Sequence, residues 1–69
     1  MELKSDAPSR SVTEVGVGDY VKIGTQWKRI GSNSATNQKH PRDWSIHTAD
    51  GGLYGMFGIN RYAKAEDLE

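Results

Sequence analysis

The stretch Asp43–Leu68, DWSIHTADGGLYGMFGINRYAKAEDL, decides the fold. Trp44, Ile46 and Thr48 alternate with Ser45 and His47, and such an alternation of aromatic or β-branched with polar side chains suits a strand with one wet face rather than a helix. Asp50-Gly51-Gly52 follows. Glycines supply the positive φ of a tight reversal, so Asp43–Thr48 and Leu53–Ile59 are predicted to pair as a hairpin. In the second arm Leu53, Phe57 and Ile59 are assigned to the core side, and Tyr54 and Met56 to the other. Gly55 and Gly58 interrupt that arm, marking a bulge or bend that lets a small sheet curl. Asn60-Arg61-Tyr62 reads as a single 3₁₀ turn before a last strand Ala63–Leu68, although Ala65-Glu66-Asp67 also has helical character.

Upstream, Val21 and Ile23 share one face of a first strand and Tyr20 and Lys22 the other, with Gly18-Asp19 as the turn leading in. Gln26–Ser32 is a second strand. If its Ile30 faces the core, Trp27 faces out unless a bulge resets the phase. Gly31–Arg42, GSNSATNQKHPR, is a polar loop, and its length is unusual for a compact domain. Residues 1–14 are polar and carry Pro8, which reads as a flexible N-terminal tail ahead of a domain at 15–69.

Two segments resemble known families. Gly55-Met56-Phe57-Gly58-Ile59-Asn60-Arg61-Tyr62-Ala63 is similar in layout to the end of SH3-type domains, where a strand, a one-turn 3₁₀ helix with Asn and Tyr, and a short closing strand follow each other. Gly18-Asp19-Tyr20-Val21-Lys22-Ile23-Gly24 resembles the first strand of KOW and other SH3-like small barrels. No proline precedes the turn, and the acidic and aromatic peptide-binding signature of SH3 domains is missing. The resemblance therefore implies the barrel shape and not a proline-rich ligand. Small cysteine-free barrels of this kind also resemble proteins of bacterial or phage genomes.

Together these elements predict an all-β class: one small SH3-like barrel of about five strands, with a 3₁₀ turn before the last. The expected core is Val21, Ile23, Ile30, Trp44, Ile46, Leu53, Phe57, Ile59 and Leu68. Sixty-nine residues allow a single domain with a modest core, and the absence of cysteine removes disulfides and thiolate metal sites from the means of reinforcing it. No apolar run reaches the roughly 20 residues of a membrane helix, and the N-terminus lacks a signal peptide's apolar core. A cytoplasmic protein without membrane contact is expected.

The formal net charge is zero, but it is unevenly spread. Lys22, Lys28, Arg29, Lys39 and Arg42 form a block without acids, flanked by segments in which acids outnumber bases. His40 and His47, with Asp43 and Asp50 nearby, match no familiar zinc spacing. Ser45 and His47 on one side of a strand are too little for a nucleophile and its base. No phosphate loop, nucleotide fingerprint or paired-carboxylate motif occurs. No catalytic residue, cofactor or metal is expected.

The function expected is a non-catalytic binding module. Its contact residues are Tyr20, Trp27, Lys28, Arg29, Arg42, Tyr54, Arg61 and Tyr62, aromatics and cations of the kind enriched in binding hot spots. A protein partner is the first reading. Single-stranded nucleic acid held by the basic segment 22–42 is the alternative, because bases stack on rings while cations hold phosphates. An oligomeric small-ligand-binding protein or enzyme is the third.

Overall fold

A computed structural model describes all residues, Met1–Glu69. The chain is all-β. Five antiparallel strands, β1 (Tyr20–Ile23), β2 (Gln26–Asn33), β3 (Ile46–Thr48), β4 (Leu53–Tyr54) and β5 (Arg61–Ala63), form one sheet in the order β4-β3-β2-β1-β5. The sheet is open, with β4 and β5 as its edges, and the only helical pieces are 3₁₀ turns at Val12–Glu14, Met56–Gly58 and Ala65–Asp67. No helix is long and apolar enough to cross a membrane.

The hairpin forms where its glycines place it. Gly51 takes φ +95°, the Thr48 amide donates to the Gly52 carbonyl at 2.9 Å, and the Gly51 amide donates to the Thr48 carbonyl at 3.0 Å. The Thr48 hydroxyl donates to the Asp50 carboxylate and accepts the Gly52 N–H, so every polar group of the buried threonine is used.

This turn sets the register: His47 pairs with Leu53 and Ile46 with Tyr54. Ile46 is fully buried, so Tyr54 shares the inner face, and Leu53 stands outside with 60% of its surface exposed. The parity expected for the second arm is thus reversed, because a shift of one residue turns every side chain to the opposite face. The arm is also shorter than Leu53–Ile59. After Tyr54 the chain leaves the sheet, and Met56-Phe57-Gly58 makes the 3₁₀ turn that precedes the last strand, four residues before the expected Asn60-Arg61-Tyr62. Phe57 is therefore not in the core but 97% exposed.

The last strand is Arg61–Ala63 rather than Ala63–Leu68. It pairs with β1 as Tyr20↔Ala63, Val21↔Tyr62 and Lys22↔Arg61. Asn60 anchors its start, donating its backbone N–H to the Lys22 carbonyl at 2.8 Å and its side-chain amide to the Gly24 carbonyl at 3.0 Å.

The core cluster is Val15, Val21, Ile30, Ile46 and Ile59, with Val12, Ile23, Trp44, Tyr54 and Tyr62 packed against it. Burying an aliphatic side chain of this size contributes about 2 kcal/mol, so these five are the apolar basis of the fold. In β2 the ladder slips between Ile30 and Ser32. The extra residue is Gly31, where an added Cβ would stand 3.4 Å from the His47 carbonyl oxygen. Past this bulge the phase changes and Asn33, opposite Ile46, points inward. Its amide donates to the carbonyls of Val12 (2.9 Å) and Val15 (2.7 Å), and its oxygen accepts the Ala35 N–H at 2.9 Å. One side chain thereby ties the first 3₁₀ turn to the start of the long loop.

Residues 1–14, read from the sequence as a tail, run beside the chain's other end. Glu2 and Glu69 exchange two backbone hydrogen bonds (3.0 and 2.8 Å), Lys4 donates to the Asp67 carbonyl at 2.8 Å, and Leu3 bridges Leu68. Arg10 makes a two-pronged contact with Asp67 at 2.9 and 3.0 Å.

Candidate functional site

Antiparallel pairing places directly opposed residues on one face of the sheet. Lys22 lies opposite both Trp27 on β2 and Arg61 on β5, and Tyr20 lies opposite both Arg29 and Ala63. Tyr20, Lys22, Trp27, Arg29 and Arg61 therefore share the parity opposite to that of the fully buried Val21; Ala63, beside Tyr20 on this parity, is itself covered, and the open part of the face carries Lys22, Trp27, Arg29 and Arg61. The bulge that was to decide the direction of Trp27 comes after Ile30, so Trp27 stays outside. The Lys22 ammonium sits 5.7 Å from the centroid of the Trp27 ring, a cation–π distance. None of Lys22, Arg29 and Arg61 takes part in an ion pair. An open hollow of about 530 Å³ adjoins Trp27 and Arg29, with Met1 and Gln26 also on its rim.

Lys28 does not belong to that face. Opposite Val21 it has the inner parity, and its ammonium pairs with Asp50 at 2.6 Å at the β3–β4 turn. The Lys28 contact, followed by the Thr48 hydroxyl and the Gly52 amide, lowers Asp50 to about 2, and the same contact with Asp50 raises Lys28. Lys28 is thus a cation already neutralised.

Tyr54 and Tyr62 have also been taken up by the interior, both packed against the core cluster, and burial raises the Tyr62 hydroxyl above the usual tyrosine range. Tyr62 meets Trp44 edge-on, with centroids 6.2 Å apart and planes at 67°. Trp44, expected in the core, is only half-buried there. Beside it lies a second surface. Pro41, Arg42, Asp43 and Trp44, from the end of the long loop, and Met56 and Phe57, from the 3₁₀ turn, line one open groove of about 440 Å³. Phe57 and Met56 are 97% and 58% exposed. Arg42 belongs to this groove and not to the face of Trp27.

The eight residues expected to act together are accordingly divided. Tyr20, Trp27, Arg29 and Arg61 share one face; Arg42 lies at the groove; Lys28, Tyr54 and Tyr62 are engaged in holding the fold. Two contributors lie outside those eight. Lys22 belongs to the basic segment 22–42 and alternates with Val21, a parity readable from the sequence. Phe57 stands between Gly55 and Gly58, and two glycines three residues apart signal a turn as readily as a curled strand.

The hydroxyl of Ser32, not that of Ser45, lies 3.3 Å from Nδ1 of His47, on the exposed side of the β2–β3 ladder. No group of three or more His, Cys, Asp or Glu side chains has the geometry to hold a metal ion. Comparison with known proteins gave no match to any family model, curated protein or solved structure.

Proposed function

We propose that the chain is an SH3-like, non-catalytic binding module that takes a protein partner in the groove between Trp44 and Phe57. The strand order, with a 3₁₀ turn before β5, supports the SH3-like reading. The observation that carries the binding role is Phe57. It is the only phenylalanine of the chain and is 97% exposed, next to a 58% exposed Met56. Leaving such a side chain in water forgoes about 2 kcal/mol that a partner's surface would recover. Trp44 adds a broad apolar wall held in place by Tyr62, and Arg42 and Asp43 give the rim both signs of charge. An apolar centre with a charged rim is the usual anatomy of a protein contact.

The test is to pan a phage-displayed peptide library on the folded protein and titrate the selected peptides into ¹⁵N-labelled protein. Peptides with apolar or aromatic side chains are expected, shifting the amides of 41–44 and 56–57. Their affinity should change little between low and high salt, and Phe57→Ser should weaken it at least tenfold. Peptides that bind the Phe57→Ser protein equally well, or that shift only residues elsewhere, would refute the groove as the docking site.

A further inference from the structure

We infer that the outer face of β1, β2 and β5 is a binding site for single-stranded nucleic acid, separate from the groove at Phe57. Arg61, Lys22 and Trp27 form one row across three strands, and Arg29 lies two residues from Trp27 along β2. With strands about 4.8 Å apart the row spans about 10 Å, the scale of a very short oligonucleotide segment.

The charges on this face are free to act. Of the chain's cations, Arg10, Lys28 and Lys64 are committed to carboxylates, whereas Lys22, Arg29 and Arg61 are paired with none. The face itself contributes no acid. The one carboxylate on the rim of the adjoining hollow, Asp50, is neutralised by Lys28 at 2.6 Å. Three unpaired cations around a tryptophan suit an anionic ligand, and the ring decides its class. An acidic peptide would use the cations and leave the indole idle. A single strand uses both, its phosphates on Lys22, Arg29 and Arg61 and a base stacked on Trp27, where the open hollow gives it room. Lys22 lies over the ring, 5.7 Å from its centroid, so its ammonium would move onto a phosphate as a base takes its place against the indole.

The number of cations sets the expected salt dependence. Three phosphates at about −0.7 each give a slope of log affinity against log salt near −2, so binding should fall about a hundredfold from 20 to 200 mM salt. The experiment is a fluorescence-anisotropy titration of labelled dT12 with the full chain across that range, beside a labelled glutamate 12-mer, with circular dichroism to confirm that each variant is folded. The expected result is binding of dT12 at 20 mM salt with that slope. Trp27→Ala should weaken it roughly tenfold or more, and Arg29→Ala or Arg61→Ala should each flatten the slope by about 0.7. These arginines are exposed, so their replacement remains informative if the tryptophan variant does not fold. No binding of dT12 at 20 mM salt, equal binding of the glutamate peptide, or slopes unchanged in both arginine variants would overturn the inference. Peptide binding at the Phe57 groove is expected to change little with salt and is read with other ligands, so either can fail alone.

Discussion

Two places in this small protein hold an aspartate at a pKa of about 2, and they could hardly be built more differently. At the β3–β4 turn, Asp50 pairs with Lys28, accepts from Thr48 and Gly52 close by, and has 55% of its side chain exposed. At the clasp between the chain's two ends, Asp67 meets Arg10 from 57 residues away, also accepts the Lys64 N–H at 2.9 Å, and is 4% exposed. The hydrogen bond from Arg10 is the largest cause of the lowered Asp67 value and also raises Arg10. Equal pKa values do not mean equal roles. Water and salt screen the first pair, whose turn would be specified by its glycines regardless. The second is the polar centre of a contact that no local signal specifies.

The comparison would be broken most severely from inside the hairpin. Ile46→Ala removes a fully buried side chain and should cost about 2–5 kcal/mol, a large share of the stability a domain of this size has. Urea denaturation measures it, and a cost under 1 kcal/mol would mean that the hairpin is not the structural centre. Asp67→Asn should have the next largest effect and act locally. Amides of Glu2, Lys4 and Glu69 should exchange with solvent faster, while those of Gly51 and Thr48 keep their protection.

The pH dependence sharpens the contrast. Asp67 has its folded pKa depressed to about 2 from an ordinary 3.8, so its stabilisation is present above the ordinary value and is lost as pH falls through the folded one. The stability gap between wild type and Asp67→Asn should be full at neutral pH, shrink below pH 4 and close near pH 2. Asp50 titrates over the same window, but Asp50→Asn should make a smaller gap that high salt narrows further. Between these lies Gly52→Ala. Its Cβ would stand 2.6 Å from the Tyr54 ring and 2.9 Å from the Thr48 hydroxyl, for about 1–3 kcal/mol lost to overpacking. The smallest change in stability belongs to Phe57→Ser, within about 0.5 kcal/mol by thermal unfolding, because a side chain 97% exposed supports nothing in the fold.

The same contrast explains what could be read from the amino acids in advance. The all-β class and the reversal at Asp50-Gly51-Gly52 rest on local chemistry and were legible, as was a 3₁₀ turn before the last strand, though it falls at Met56–Gly58 and not at Asn60-Arg61-Tyr62. The parity of Leu53 and Tyr54 was not. It depends on which residue pairs across the turn, and both choices place a large apolar side chain inward. The pairing of Arg10 with Asp67 leaves no periodic trace at all, being a meeting of two segments that have only the folded molecule in common. For the contact surface, the alternation of β1 and β2 sufficed to set Tyr20, Trp27 and Arg29 on one side. Lys28 was misjudged because its partner, Asp50, comes from another hairpin.

The reciprocal bonds between Glu2 and Glu69 leave the two ends about 5.5 Å apart, the separation of a directly bonded antiparallel couple. A bridge of a few glycines would join them, and the ring so formed could be reopened in the exposed loop at Gln38-Lys39 as a circular permutant. For the same reason the segment 2–69 should graft into a surface loop of an unrelated host, entering and leaving through a gap that the host need not widen.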